Sequence, residues 1–301
     1  MFSKFRQVLL LILVIGTQDS QAFVSAVDST GQRVELLQPA VRIISLAPHT
    51  TELLFASGAG EHVVGVVSYS DYPEQARRLT NVGSHQALDY EAIVALKPDL
   101  ILAWKSGNPP TSLEKLKNMG YPVFITEPRH LTDIPILLRE IAKLTQTEGI
   151  AEVAANQFSD QLQQLYKRYS NVQPLKVFFQ IWQQPLMTIS ASHIINEVIE
   201  LCGGVNIFDQ QDRLATTVEI ESVILRDPDV IIINGQGGQF DRWRQYWQQW
   251  SVMQAVKTDS IYQVNPDITS RHTPRLIMGA AHLCGLLDHA RGKITSPGIS
   301  E

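Results

Sequence analysis

The stretch YEAIVALKPDLILAW (residues 90–104) has the pattern of a helix followed by a buried strand, and a similar stretch occurs once more in the chain. The second copy is EIESVILRDPDVIIIN (residues 219–234). In each copy a glutamate, Glu91 or Glu221, opens an amphipathic segment, Pro-Asp ends it, and an apolar run follows. A helix that feeds a buried strand is the unit of a parallel α/β sheet. The repeat therefore predicts two similar α/β lobes.

A second echo comes in the same order in both halves. TELLFASGAG (residues 51–60) and NEVIELCGGV (residues 196–205) each place a glycine six positions after a glutamate, Glu52 or Glu197. We interpret these two glutamates as ordinary first-turn helix residues. Chance similarity between amphipathic α/β segments is the alternative to an internal duplication.

The stretch between the two halves predicts a long connecting helix. Between residues 147 and 169, apolar residues recur every three or four positions without a proline, which predicts one helix of about 23 residues, roughly 35 Å long. The expected architecture is α/β, with two Rossmann-like lobes joined by a long rigid α-helix and a ligand cleft between them. The predicted bounds are 23–146 for the first lobe, 147–170 for the helix, 171–291 for the second lobe and 292–301 for a flexible tail.

The N-terminus carries the pattern of a secretory signal peptide. Lys4 and Arg6 precede the apolar run VLLLILVIG, and Ser20 and Ala22 supply small residues before a cleavage site after Ala22. The run is too short for a spanning helix. We therefore expect a soluble, exported, periplasmic protein that has lost residues 1–22.

Export changes the interpretation of the two cysteines. Cys202 and Cys284 are the only pair in the chain. An oxidising compartment favours a disulfide between them. Two separate buried thiols are the alternative.

Composition and motifs narrow the function classes. The net charge of −5 argues against nucleic acid as a partner. The sequence contains no HExxH, Walker or GxSxG motif, so an enzyme is the less favoured class. A structural or adhesion module would not need a two-lobed α/β pattern. We expect a monomeric, non-catalytic binding protein without a cofactor or a resident metal.

Candidate binding residues follow the predicted strands, because ligands of open α/β sheets bind beyond the carboxyl ends of the strands. These positions are 47–49 with Pro48, Tyr69, Trp104, 180–184 with Trp182, 234–238, and 267–272 with Asp267 and Arg271.

Several blocks resemble periplasmic substrate-binding proteins that have a helical backbone, most closely the BtuF-type cobalamin-binding proteins. The blocks are RIISLAPHTTELLFASGAG, VVSYSDYPEQA, EAIVALKPDLILAW, LCGGVNIF and SRHTPRLI. The resemblance runs from about Arg42 to Ala290. It implies capture of cobalamin or another corrinoid in the cleft, delivery to an ABC permease and ATPase complex at the inner membrane, and a disulfide in the second lobe.

The resemblance also assigns roles to residues. Tyr69, Trp104, Asp267 and Arg271 match ligand-contacting positions of the family. Core packing of Trp104 and a mutual surface pair of Asp267 with Arg271 are the alternatives. Glu91 and Glu221 match the glutamates that dock each lobe on one of two permease subunits. The alternative for them is a favourable charge at a helix start.

Other pocket positions depart from the family pattern. His85 stands where a tryptophan is expected, and further aromatic positions fall at Ile181, next to Trp182, and at Met187, Thr216 and Ile268. With His49 and His272, His85 could ligate a metal. Heme or a ferric siderophore is therefore the alternative ligand.

A cluster of tryptophans lies between residues 243 and 250. Trp243, Trp247 and Trp250 share one helical face with Tyr246. Packing against the second sheet is favoured over a ligand platform.

Overall fold

Two β-sheets flank one long helix in the computed structural model, which describes residues 23–210 and 213–295. The predicted signal peptide, residues 1–22, lies outside the described residues. The long helix, α5, spans Glu148–Tyr169 as predicted, and the N-terminal lobe precedes it while the C-terminal lobe follows it. The predicted α/β class with a helical backbone is confirmed.

The N-terminal lobe is built on a five-stranded parallel sheet in the order β5-β4-β3-β6-β7, beside an antiparallel hairpin of β1 and β2. Residues 100–103 of β6 are fully buried, as expected for a parallel strand with helices on both faces. The elements are β1 Val24–Val27, β2 Arg33–Leu36, β3 Ile43–Ser45, α1 Pro48–Ala56, β4 Val63–Val66, β5 Thr80–Asn81, α2 Tyr90–Leu96, β6 Leu100–Trp104, α3 Pro110–Asn118, β7 Val123–Thr126 and α4 Asp133–Thr145.

The C-terminal lobe has a six-stranded sheet in the order β11-β9-β8-β12-β13, with β10 also paired to β8. The parallel sheet predicted from alternating strands and helices is present, with an antiparallel edge where β11 pairs with β9 and β9 runs antiparallel to β8. The connection between them, residues 184–185, is too short for a helical crossover. The elements are β8 Leu175–Gln183, β9 Leu186–Ile189, α6 Ile194–Leu201, β10 Gly204–Asn206, β11 Ala215–Thr217, α7 Ile220–Arg226, β12 Val230–Asn234, α8 Gln239–Gln248, α9 Gln254–Lys257, β13 Ile261–Val264, α10 Pro266–Thr269 and α11 Leu276–Thr295.

The repeated Pro-Asp has the same structural role in both lobes. Helices α2 and α7 end on left-handed residues, Lys97 at φ 46° and Asp227 at φ 45°. The aspartate after each proline then accepts hydrogen bonds at the start of the neighbouring strand. Asp99 accepts from the Arg42 backbone N–H at 3.0 Å, and Asp229 accepts from the Lys176 N–H at 2.7 Å.

The basic side chains of those neighbouring residues complete the repeated unit. The Arg42 guanidinium donates to the carbonyl of Leu96 at 2.6 Å, and the Lys176 ammonium donates to the carbonyl of Arg226 at 3.1 Å. Carbonyls in the last turn of a helix lack intrahelical partners, and a cation is favourable there. The repeat in the sequence therefore encodes one helix-to-strand joint, built twice.

Helix α4 was not predicted, although its local signal is clear. Its apolar residues recur with helical spacing, from Ile134 through Leu138 to Ile141, and all three are fully buried. Pro135 lies in the first turn, where a missing backbone N–H costs nothing. With this helix, α5 packs on α4 in the N-terminal lobe and on α11 and α6 in the C-terminal lobe.

One hydrophobic core passes through both lobes. It includes Leu53 and Leu138 of the N-terminal lobe, Phe158 of α5, and Val198 and Leu283 of the C-terminal lobe. Each lobe has a further cluster on the other face of its sheet. Because the central core is shared, apolar packing along α5 ties the lobes together.

The disulfide and the tryptophan predictions are confirmed. Cys202 and Cys284 are bonded and join α6 to α11. Trp243 and Trp247 are buried in the core of the C-terminal lobe, where the Trp247 indole N–H donates to the Gln180 side chain at 2.7 Å. Gln180 thus lies inside β8 and not in the predicted loop.

Helix α11 also enters the segment predicted as a flexible tail. It runs to Thr295, because Lys293 bonds the carbonyl of Asp259 and Ile294 packs on the central core. Residues 296–301 lie outside the described part of the chain.

Candidate ligand cleft

The N-terminal face of the cleft gathers three rings. His49 lies in the first turn of α1, directly after Pro48 at the first helical position. Its ring centroid is 5.3 Å from that of Trp104, at the carboxyl end of β6. The His85 ring centroid lies 6.2 Å from that of Trp104. The strand-end rule placed His49 and Trp104 in one site, the family resemblance added His85, and the structure brings the three rings together.

Trp104 is held in place by its own loop. Its backbone N–H donates to the Asn108 side chain at 2.7 Å, and the Asn108 amide donates in turn to the carbonyls of Leu46 and His85. A Cβ on Gly107 would lie only 1.8 Å from the indole ring, so only glycine fits there. The indole is half-buried, which leaves part of it free for a ligand.

On the C-terminal face, Arg271 lies at the centre of a carboxylate cluster. It donates to Asp267 at 3.0 Å, four residues before it, which is the mutual pair considered as the alternative to ligand binding. It also donates across the lobe boundary to Asp71 at 2.6 Å and to Glu52 at 3.1 Å. Burial lowers the pKa of Arg271, but its hydrogen bonds to the carboxylates of Asp71 and Glu52 outweigh burial and raise that pKa above its usual value.

Glu52 contradicts its interpretation as an ordinary first-turn residue. Its side chain is only 2% exposed, and both its oxygens bind groups of the C-terminal lobe. Arg275 donates to it twice, at 2.6 and 2.9 Å, and the Thr273 hydroxyl donates at 2.9 Å. The Arg275 guanidinium lies 3.7 Å above the Tyr72 ring of the N-terminal lobe.

Glu197 crosses the boundary in the opposite direction. From α6 of the C-terminal lobe it accepts from the Leu131 backbone N–H at 2.7 Å, in the N-terminal lobe. The Tyr166 hydroxyl of α5 donates to it at 3.0 Å. Burial and the nearby Glu197 charge raise the pKa of Tyr166 to about 12. Sequence reasoning missed both cross-lobe roles, because the second echo marks the two glutamates but carries no signal of their partners in the other lobe.

Three histidines form a row across the boundary. The His272 ring lies 6.0 Å from His49 of the other lobe and 5.8 Å from His193, the N-cap of α6. Burial, followed by the charge of Arg271, lowers the pKa of His49 to about 3. Burial and Arg129 lower that of His193 to about 4, and burial with the two neighbouring imidazoles lowers that of His272 well below its usual value. All three rings are neutral at pH 7.

Two predicted aromatic residues remain uncovered, one on each lobe. Tyr69 follows β4, is 78% exposed and has a left-handed backbone at φ 68°. Trp182, near the carboxyl end of β8, is 49% exposed, with its ring edge-on to Trp243 at 6.2 Å. A bulky residue at positive φ is unusual and concentrates at functional sites.

Glu91 and Glu221 lie away from this boundary network. Both are exposed in the first turns of the equivalent seven-residue helices α2 and α7. The described residues contain no group of three or more His, Cys, Asp or Glu side chains arranged to hold a metal ion. They also contain no helix with the length and apolar character needed to cross a membrane.

Comparison with known proteins gives consistent results. A family model described as periplasmic binding protein matches residues 43–268. The vitamin B12-binding protein of Vibrio cholerae serotype O1 is 37% identical over 260 residues, 84% of this chain and 91% of that protein. The vitamin B12-binding protein of Yersinia pestis (strain Pestoides F) is 40% identical over 247 residues, 82% of this chain and 86% of that protein.

Solved structures agree with the sequence relatives. The crystal structure of the periplasmic vitamin B12 binding protein BtuF of Vibrio cholerae matches with a TM-score of 0.79 at 37% identity, over 84% of this chain and 98% of that one. The periplasmic heme-binding protein RhuT from Roseiflexus sp. RS-1 matches with a TM-score of 0.72 at 26% identity, over 83% and 98%. The chain described here belongs to the periplasmic binding protein family.

Proposed function

We propose that this protein captures cobalamin or a related corrinoid in the periplasm and delivers it to an ABC importer. The observation that carries the proposal is the pair of uncovered aromatic rings, Tyr69 and Trp182, at carboxyl strand ends of two different lobes, together with relatives that are vitamin B12-binding proteins. A corrin macrocycle is a broad apolar disc with amide groups on its rim. Aromatic rings offer flat apolar area for such a disc.

Each proposed contact has a chemical reason. Tyr69, Trp104 and Trp182 would cover the faces and edges of the macrocycle, with His85 and Pro48 completing the N-terminal wall. Asp267 and Arg271 would bind the amide rim. Three of the five N–H donors of Arg271 are taken by carboxylates, which leaves its Nε–H and one Nη2 hydrogen for a ligand.

Docking is the second half of the proposal. Glu91 and Glu221 occupy equivalent, exposed positions on repeated helices, which suits a partner with two equivalent subunits. Each carboxylate would pair with basic side chains of one permease subunit. Such pairs fix register and speed encounter more than they add affinity. In this proposal the protein acts as a monomer and is exported by means of residues 1–22. It binds and delivers its ligand without catalytic activity or a resident cofactor.

Heme or a ferric siderophore is the second candidate. The observation that favours it is the row of neutral imidazoles of His49, His193 and His272, because a neutral imidazole is a good ligand for iron. A heme-binding relative matches the fold at 26% identity. The departures from aromatic residues at His85, Ile181 and Thr216 point the same way.

Calorimetry with the purified, ligand-free protein tests the assignment. Cyanocobalamin should bind tightly and hemin weakly. Trp104→Ala should weaken corrinoid binding about thirtyfold, or about 2 kcal/mol, because buried aromatic area is lost. Tyr246→Ala, an aromatic change on α8 outside the proposed cleft, is the control and should bind as the parent does. Tight hemin binding without corrinoid binding would transfer the assignment to heme.

A further inference from the structure

The second echo in the sequence marks two cross-lobe contacts of unequal strength. The Glu52 junction consists of Glu52 and Asp71 from the N-terminal lobe with Arg271, Thr273 and Arg275 from the C-terminal lobe. The Glu197 junction consists of Glu197 from α6 with His130, the Leu131 N–H and the Tyr166 hydroxyl. The two glutamates hold equivalent positions on α1 and α6, and each reaches into the other lobe.

The Glu52 junction is the more strongly bound. Glu52 accepts four hydrogen bonds, three of them from two arginines, and its side chain is 2% exposed. The bond from Arg271 Nη1 and the pair from Arg275 are charge-assisted, and the Arg275 pair is bidentate, the strongest geometry for such contacts. A buried ion pair is not by itself stabilising, but removal of one partner strands the others and is costly.

The Glu197 junction is weaker on each count. Glu197 is 24% exposed, and its two hydrogen-bond donors, the Leu131 N–H and the Tyr166 hydroxyl, are neutral. The His130 ring is 3.7 Å away and 70% exposed. A cavity of about 420 Å³, lined by Arg129, His130, Ser192 and Glu197 among others, opens beside it, against about 310 Å³ beside Glu52. Fewer charged partners and more open space make this edge easier to separate.

We propose that Glu52 and Glu197 are positioning residues that fix the two lobes relative to each other, and that the lobes part first at the Glu197 junction while the Glu52 junction holds. The histidine row runs from His49, beside Arg271, to His193, beside the Glu197 cavity. Separation at the Glu197 junction therefore widens the His193 end of the cleft. Both junctions are formed by residues of this chain alone, so the order of separation does not depend on which ligand the cleft binds.

Spin-label distance measurements on the full ligand-free chain test it. One pair, on cysteines placed at the exposed positions Gln75 and Met278, spans the Glu52 edge, and a second, at Ile136 and Ala191, spans the Glu197 edge. In the parent the second distance distribution should be the broader one. Glu197→Gln should broaden that distribution only, whereas Glu52→Gln should broaden both.

Stability supplies an independent readout. Glu52→Gln should lower the melting temperature by about 5 °C, and Glu197→Gln by about 2 °C or less. Glu114→Gln, an exposed glutamate of α3, is the matched control and should change neither readout. If Glu52→Gln does not fold, Arg275→Lys serves in its place, because it keeps the charge but loses the bidentate fork.

Two outcomes would overturn the proposal. Equal widths for the two label pairs in the parent would show that neither edge is the weaker. Unchanged distances in Glu52→Gln, or in folded Arg275→Lys, would show that the Glu52 junction does not hold the lobes. Failure of either kind leaves corrinoid binding untouched, so it is distinguishable from failure of the proposed function.

Discussion

The repeated glutamates form two pairs with opposite surroundings. Glu91 and Glu221 are exposed on α2 and α7, whereas Glu52 and Glu197 lie at the boundary between the lobes and bind groups on its other side. Glu91, Glu197 and Glu221 occupy first turns, where a carboxylate is favourable, whereas Glu52 is the fifth residue of α1. Position on a helix therefore explains why a glutamate is tolerated, and its surroundings explain what it binds.

The largest expected effect is a loss of uptake when the exposed pair, Glu91 and Glu221, is replaced. Changing Glu91 and Glu221 together to alanine should reduce uptake in cells about a hundredfold and leave corrinoid affinity in solution unchanged, because both residues lie outside the proposed cleft. Each single change should cost less, since one lobe stays anchored. The measurement is labelled-corrinoid uptake beside calorimetry.

Two controls sharpen that comparison. Glu114→Ala should transport normally. Added salt should weaken docking of the parent more than of the double variant, because it screens the charges that were removed. Normal uptake by the double variant would remove the docking role, and a parallel loss of ligand affinity would move both glutamates into the binding site.

The difference between the pairs also marks the limit of the sequence. Local spacing was enough for the helix-to-strand joints, for α5 and for the Cys202–Cys284 bond, because each depends on short-range pattern or on the only available partner. It was not enough for Glu52, whose partners Arg271 and Arg275 lie more than two hundred residues away. Nothing in TELLFASGAG distinguishes a buried carboxylate from an exposed one, since its partners come from another lobe.

The ligand-contacting residues show the same limit. Strand ends located His49 and Trp104, because the edge of a parallel sheet collects the residues that follow its strands, whereas His85 came from the family resemblance. His193 was missed, since it precedes α6 after an antiparallel strand, where the rule for parallel sheets does not apply. The histidine row can therefore be recognised only once both lobes are placed.

Acid pH should destabilise the boundary between the lobes through its buried histidines. An unfolded imidazole titrates near about 6.5, whereas the pKa of His49 is about 3 and that of His193 about 4. Below pH 6.5 these histidines are protonated in the unfolded chain but stay neutral in the folded chain. The free energy of unfolding therefore falls as the pH falls towards 4. At pH 5.5 each histidine should cost about 1.4 kcal/mol of unfolding free energy relative to pH 7.5.

Denaturant unfolding of the parent, His49→Gln and His282→Gln at the two pH values checks this. His49→Gln should lose part of the pH dependence, and His282→Gln, at an exposed position of α11, should retain all of it. A parent whose stability is the same at pH 7.5 and 5.5 would show that the row accepts protons in the folded state.

The smallest expected effect lies beside one docking glutamate. Leu225 is 87% exposed and follows Glu221 by four positions, on the same face of α7, whereas the equivalent position after Glu91 is Ala95. Burial of this leucine against the permease would add an apolar contact in one lobe only.

Leu225→Ala should weaken docking to the importer in nanodiscs about threefold, since it removes only part of a leucine side chain. The loss should be the same at low and high salt, because apolar contacts are not screened, while the loss caused by Glu221→Ala should shrink as salt rises. Ala95→Leu should strengthen docking, and Met278→Ala, at an exposed apolar position of α11, should leave it unchanged. Equal docking by Leu225→Ala and the parent would mean that the two lobes meet the permease through their carboxylates alone.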